Sequence, residues 1–361
     1  MSSTADSTYV GTRPVSPQHA FDEGKLAAFI RDQVTDFQGA LTVSQFKGGQ
    51  SNPTFLVQAG TQQYVLRRKP PGVLLPSAHA VDREFKVISA LAGTDVPVAK
   101  AHALCQDPEV IGTDFYLMDY VPGRIFWDPK LPDVAAADRP ALYDELNRVI
   151  AALHRVNYQA VGLGDYGKPG EYLARQVARW TKQYRAAETE RIEAVDKLIE
   201  WLPANLPVGD ETSIVHGDYR FDNVIFHPTE PRILAVLDWE LSTLGHPLVD
   251  FAYHCMTWRM DGSTGRGLGD LTPEQMAQMM IPSESDYVKR YCARTGRDGI
   301  PERDWSYYMV FNMFRLTGIL QGVMKRALQG NAASAEALAT GKRARPLAEQ
   351  AWRMVEQMRA A

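Results

Sequence analysis

Residues 214–225 read Ile214-Val215-His216-Gly217-Asp218-Tyr219-Arg220-Phe221-Asp222-Asn223-Val224-Ile225, and fifteen positions past Asn223 stands Asp238-Trp239-Glu240. A carboxylate, Asp218, and a carboxamide five residues on, Asn223, sit in a polar loop running into an apolar β segment, 223–226. A second β segment, 233–237, delivers Asp238. Phosphoryl transfer needs this set. One carboxylate accepts a hydroxyl proton, while an amide oxygen and a second carboxylate hold magnesium over phosphates. Hard oxygen ligands suit Mg²⁺, which keeps some of its waters and asks for few protein groups. Asp218 is therefore the expected catalytic base, and Asn223 and Asp238 the expected metal ligands.

Upstream, the chain opens with a Ser/Thr/Pro-rich stretch, 1–20, and a predicted helix over 21–35. From Leu41 the texture changes to short apolar runs broken by turn residues. Strands are expected over 41–46, 54–58 and 64–67, joined by Lys47-Gly48-Gly49-Gln50-Ser51-Asn52-Pro53 and by a hairpin at 59–62. Residues 77–92 follow as a helix, with Val81, Phe85, Ile88 and Ala92 at 3.6-residue spacing. Glu84 falls on its apolar face, whereas Asp82, Lys86 and Ser89 line the polar one. A carboxylate on a buried face needs a cation. The short strand 116–121 stops at Pro122-Gly123, where a domain boundary is placed. Beyond it the pattern is helical over 139–156, 172–185 and 190–201, and again after Thr272. The Ala-rich stretch 331–340 is expected to be helical.

The His216-Gly217-Asp218…Asn223 run with Asp238 resembles the catalytic core of the aminoglycoside phosphotransferase family, relatives of choline kinases and protein kinases. The resemblance covers roughly residues 35–330. It implies an α+β, protein-kinase-like two-lobed fold: an antiparallel β-sheet N-lobe with one helix, and a larger, mainly helical C-lobe. The expected division is an arm and helix at 1–35, an N-lobe at 36–121 and a C-lobe at 122–361. ATP, or GTP, would bind between the lobes. Gly48, Gly49, Ser51 and Asn52 occupy the place of a phosphate-covering loop, where glycines admit backbone N–H groups to phosphate and Ser51 and Asn52 add donors. The full G-x-G-x-x-G pattern is absent. Kinases pair a third-strand cation with a helix carboxylate. With Tyr64 and Leu66 pointing to the core, that cation is Arg67; the opposite phase selects Arg68, and Lys69 stands one residue further on. Glu84 is the natural partner. Met118 to Val121 would form a hinge offering main-chain groups to the base, with Met118 and Tyr120 the named contacts. His216 resembles the histidine that holds the catalytic loop. Asp250 resembles the aspartate that fastens that loop through backbone amides, with a helix N-cap as the plainer reading. Glu240 is placed as a water-mediated second-metal ligand.

Only eleven residues separate Asp238 from Asp250, too few for the activation segment and peptide platform of a protein kinase. The acceptor is therefore expected to be a small-molecule hydroxyl. Residues 48–54, 64–72, 75–84 and 237–247 look like one branch in particular, the kinase domain fused to acyl-CoA dehydrogenases in some eukaryotes and found alone in bacteria. That likeness implies a hydroxyacyl thioester as acceptor and a functional link to an acyl-CoA dehydrogenase. An aminoglycoside would call for clustered carboxylates, and choline for an aromatic cage drawn from Trp127, Trp180, Tyr184, Trp201, Trp258 and Trp305. A catalytically silent nucleotide-binding module is the rival from another class, marked by loss of the base or a metal ligand; all three residues are present. The basic cluster Lys342, Arg343 and Arg345 is read as a solvated charge run, with CoA phosphates the sharper alternative.

Composition bounds these readings. The chain has 361 residues, enough for two lobes, and 39 Lys+Arg against 43 Asp+Glu give a net charge of −4. That balance removes the electrostatic footprint of a nucleic-acid binder. No apolar run approaches the roughly 18 residues that span a bilayer, and the N-terminal stretch lacks the basic and apolar regions of a signal peptide. Cys105, Cys255 and Cys292 are widely spaced and lack CxxC pairing, so neither a disulfide framework nor a zinc site is expected. A cytoplasmic location follows as an expectation.

Overall fold

Alternating apolar residues make the N-terminal third a sheet. The computed structural model describes residues 11–35, 37–47, 52–70, 79–262, 267–330 and 336–360. Six strands, β1 (Thr12–Arg13), β2 (Leu41–Phe46), β3 (Thr54–Ala59), β4 (Gln62–Arg68), β5 (Ala101–Cys105) and β6 (Phe115–Asp119), pair antiparallel in the order β1-β2-β3-β4-β6-β5. Phe55, Val57, Leu66 and Leu117 are fully enclosed on one face, packed with Leu26 and Ile30 of helix α1 (Glu23–Gln33). Helix α2 (Val81–Leu91) turns Val81, Glu84, Val87, Ile88 and Leu91 inward, and the short α3 spans Pro108–Ile111. The opening Ser/Thr/Pro stretch, expected as an arm, contributes β1, which pairs Thr12 with Phe46. Strand β5, not foreseen, lies against β6.

The chain divides into two compact units. The first comprises Met1–Trp127, Gln159–Leu163 and Phe221–Ser242; the second comprises Asp128–Tyr158, Gly164–Arg220 and Thr243–Ala361. The second is mostly helical: α4 (Arg139–Arg155), α5 (Tyr172–Ala187), α6 (Glu193–Ala204), α7 (Pro247–Cys255), α8 (Pro273–Gln278), α9 (Glu284–Thr295), α10 (Glu302–Leu328), α11 (Ala337–Gly341) and α12 (Ala344–Ala360), with strands β7 (Ser213–Val215) and β10 (Thr243–Gly245) paired antiparallel. The hairpin of β8 (Val224–Phe226) and β9 (Ile233–Val236) belongs to the first unit, so the first unit is discontinuous in sequence. Its place there is fixed by backbone: Arg124 and Phe226 exchange two hydrogen bonds at 2.8 Å, and Val236 N–H donates to Pro97 at 2.9 Å. Gly123 permits the approach, since a Cβ there would lie 2.2 Å from the Phe226 carbonyl oxygen.

Trp201, Trp258 and Trp305 are core residues rather than a cage. Trp201 packs on Tyr307, and Trp258 on Tyr287. Arg345 of the basic cluster is engaged by Glu190 at 2.6 Å. Of residues 331–340, those from Ala337 on are helical and 331–335 lie outside the described residues. The three cysteines are buried and free. Among the described residues, no helix is long and apolar enough to cross a membrane.

Candidate active site

Two groups of polar residues stand out, one in each unit. In the first unit, β4 carries Arg67 and α2 carries Glu84. Arg67 Nε lies 3.0 Å from Glu84 Oε2, and its NH2 lies 3.0 Å from Asp238 Oδ1. The β4 phase follows from the sheet: Leu66 is in the core, and Arg68 leaves on Leu66's side to pack beneath Phe21 and Phe55 at 5.2 and 5.7 Å. Lys69 pairs with Asp114 at 2.6 Å. Glu84 is only 1% exposed, and also accepts from Asn52 Nδ2 at 2.8 Å and Tyr116 OH at 3.0 Å. Burial pushes its carboxyl up, against the pull of Arg67, Tyr116 and Asn52. For Arg67, burial acts downward, and Glu84, Tyr116 and Asp238 outweigh it to leave the guanidinium raised and firmly cationic.

Asn223 and Asp238 are brought together by the β8–β9 hairpin. The register pairs Val224 with Val236, and one step further Leu237 N–H donates to the Asn223 carbonyl at 2.8 Å. Asp238 follows in the left-handed region, φ 63°, a conformation that costs a non-glycine residue of order 1–3 kcal/mol and concentrates at functional sites. Glu240, two residues on in a short 3-10 turn, is exposed.

In the second unit, Asp218 follows β7 and Gly217, the latter at φ 85° where a side chain would be strained. Asp250, inside α7, accepts the backbone N–H groups of His216 and Gly217, each at 2.8 Å. Burial would raise its carboxyl, but His154, His216 and the His216 N–H hold it low. The plainer reading of Asp250 as an N-cap does not hold: His246 caps α7, accepting from Leu248 N–H. His216 is fully buried; its Nδ1 accepts from Asp218 N–H at 3.2 Å, and its ring meets Tyr219 edge-on. Asp218 Oδ1 accepts from Tyr253 OH at 2.6 Å, and Oδ2 lies 3.1 Å from Arg220 NH2.

Several sequence expectations shift. Asn52, expected on phosphate, is buried with its amide nitrogen on Glu84 and its oxygen 2.9 Å from His79 Nδ1. Its side chain props the carboxylate that holds Arg67. Met118 is flanked by Val65 and Ala101 because β6 lies between β4 and β5, and Tyr120 N–H is taken by the Gln63 carbonyl at 3.2 Å. The Tyr120 N–H thus serves the sheet. Tyr120 instead presents its ring, nearly parallel to Phe46 with centroids 6.4 Å apart. Gly48, Gly49 and Ser51 lie outside the described residues. Reading the sequence missed Tyr116, Arg220, Tyr253 and Arg315. For Arg315 a signal existed, a charged residue amid the apolar run Phe311 to Leu320.

Residues 42–276 match the model of the phosphotransferase enzyme family (APH). Mouse acyl-CoA dehydrogenase family member 10 is 46% identical over 345 residues, covering 94% of this chain and 32% of that protein. The chain thus spans about a third of this curated relative. A crystal structure from Ralstonia eutropha JMP134, of a candidate aminoglycoside phosphotransferase, shares 55% identity at a TM-score of 0.86, covering 94% of this chain and 99% of the other. Aminoglycoside phosphotransferase APH(4)-Ia, solved with ADP and hygromycin B, shares the fold at a TM-score of 0.60 and 16% identity, over 91% and 97% of the two chains.

Proposed function

Because the chain belongs to the phosphotransferase enzyme family, with its protein-kinase-like fold, we propose that it phosphorylates the hydroxyl of a hydroxyacyl thioester. The family makes it an ATP-dependent kinase of small molecules; the acceptor and the residue roles are our reading. One observation carries the residue roles: a buried arginine held by Glu84 that also reaches Asp238, beside a hairpin that sets Asn223 opposite Leu237, one residue before Asp238. A cation for nucleotide phosphates and hard oxygen donors for a metal thus share one small region.

The donor set fits magnesium. Among the described residues no group of three or more His, Cys, Asp or Glu could enclose a metal ion. A site of two side chains completed by phosphate and water is what Mg²⁺ accepts. Asn223 and Asp238 would hold it, and bound there it would neutralise charge on the phosphates. Arg67 steadies the nucleotide phosphates, with Glu84 fixing its direction. Phe46 and Tyr120 offer ring faces for a purine. Asp218 orients the acceptor hydroxyl and takes its proton, while Asp250 fixes the loop that carries Asp218. Arg220, beside Asp218, adds positive charge where the transferred group carries negative charge.

The thioester acceptor is supported by the name of the mouse relative, an acyl-CoA dehydrogenase family member that this chain matches over a third of its length. The Ralstonia relative's name favours a second reading, an aminoglycoside acceptor. The net charge of −4 spread over 361 residues lends a polycation little help. The deciding experiment incubates the protein with ATP, Mg²⁺ and a panel of 3- and 4-hydroxyacyl-CoAs, kanamycin and choline, following phosphorylated product by mass spectrometry. Product from a hydroxyacyl-CoA alone supports the proposal; product from kanamycin alone refutes it. Chelation with EDTA should stop turnover, and added Mg²⁺ should restore it.

A further inference from the structure

Two helices distant in sequence converge on Asp218 and the peptide before it. Tyr253 of α7 donates to Asp218 Oδ1 at 2.6 Å. Arg315, in the middle of α10 and only 8% exposed, donates from NH2 to the Gly217 carbonyl at 2.8 Å. Its guanidinium carbon lies 4.9 Å from the Tyr253 ring centre and 5.5 Å from that of Trp180. Gly217 is therefore gripped through both of its peptide groups, its N–H by Asp250 and its C=O by Arg315.

A buried guanidinium is costly unless its charge is used, and among the described residues Arg315 pairs with no carboxylate. Its charge falls on the face of a tyrosine ring whose hydroxyl already donates to a carboxylate. A cation over that face draws electron density from the ring and strengthens O–H donation to Asp218. Burial, and then the Asp218 charge, push the Tyr253 phenol up, so it stays a donor across the working pH range.

We propose that Tyr253, backed by Arg315, is a positioning residue that holds Oδ1 of Asp218, leaving Oδ2 as the oxygen that takes the acceptor's proton. This rests on the reading of Asp218 as the base. In the step, the acceptor oxygen bonds to the γ-phosphorus while the bond from that phosphorus to the bridging oxygen of ADP breaks. The hydroxyl proton passes to Oδ2. Oδ2 lies beside Arg220, whose side chain is 29% exposed, whereas the Tyr253 that holds Oδ1 lies under Arg315.

Tyr253→Phe keeps the ring and removes only the hydroxyl. Turnover is measured with an accepted hydroxyacyl-CoA and, independently of acceptor identity, as basal ATP hydrolysis with water as acceptor. The expected result is a fall in kcat of about 10- to 100-fold, the worth of one hydrogen bond to a charged group. The KM values for ATP and acceptor, and ATP affinity by calorimetry, should stay within about twofold. Arg315→Leu should lower kcat similarly, Arg315→Lys should restore most of it, and Tyr253→Phe with Arg315→Leu should lose less than the sum of the singles. A Tyr253→Phe enzyme with wild-type kcat, or with only a raised KM, overturns the inference. Asp218→Asn is the control: if it is inactive while Tyr253→Phe is indifferent, only this inference falls. If Asp218→Asn turns over normally, the base assignment falls and takes the inference with it.

Discussion

Arg67 brings two carboxylates within reach of one guanidinium, and the buried partner sets the terms. Glu84 is enclosed and depends on Arg67, Asn52 and Tyr116 to remain ionised. Arg67→Met should therefore destabilise the fold by about 3–5 kcal/mol, the range for leaving one partner of a buried pair uncompensated. Thermal melts of Arg67→Met beside Arg67→Met/Glu84→Gln check this: the double variant should recover part of the loss, and equal melting temperatures would refute the account. Asp218→Asn should behave differently, losing about 10²- to 10⁴-fold in turnover with little change in stability or ATP affinity. At this scale the sequence singles out Asp218, Asn223 and Asp238 as candidates because the roles proposed for them dictate residue type. It left Arg67 and Arg68 open because strand alternation fixes relative, not absolute, phase. The enclosed Leu66 side of β4, which Arg68 shares, settles that phase.

Both candidate catalytic elements are held at their backbone groups. The β8–β9 hairpin carries Asn223 and Asp238 and is tied to the strand-end segment at Gly123 and Arg124 and to Pro97. Gly123→Ala would force a Cβ against the Phe226 carbonyl. It should cost about 1–3 kcal/mol, as overpacking does, and raise the Mg²⁺ concentration for half-maximal turnover. A variant with wild-type stability and Mg²⁺ dependence would show that the hairpin's seating does not matter. Helix α7 shows what periodicity alone hides: Asp250 looks like a cap in sequence, yet His246 supplies the cap and Asp250 is free to hold the loop. The strand expected to form a hinge shows the converse. Its apolar run marks β6, but only the order β4-β6-β5 reveals that Met118 is flanked on both sides.

For the molecule as a whole, two enclosed histidines set the acid limit. Burial pushes His254 down to about 4, opposed by the Tyr219 carbonyl and by Asp250. Burial likewise pushes His246 down to about 4 against Glu211 and Asp210, with Arg297 and His154 acting in the same direction as burial. Each ring is neutral when folded and binds a proton near pH 6.5 when unfolded. The unfolded chain therefore binds more protons between about pH 6.5 and 4, so stability is fully present above that window and falls through it as pH drops. The loss is about 3 kcal/mol per ring. Melting temperatures at pH 7, 5.5 and 4.5 should decline, with a shallower slope for His254→Gln; a flat profile would contradict the assignment. The sequence by itself determined the fold class and singled out Asp218, Asn223, Asp238 and Glu84 as candidates for base, metal pair and helix carboxylate, because each of those roles needs a fixed residue type at a short spacing. Only the tertiary structure decided that residues 221–242 join the N-terminal sheet's unit, that Asn52 serves Glu84, and that Tyr253 and Arg315 hold Asp218 and the peptide before it. Those outcomes depend on groups from 32 to 139 residues apart (Asn52 to Glu84, Pro97 to Val236) meeting in a packed interior, and local patterning carries no record of such meetings.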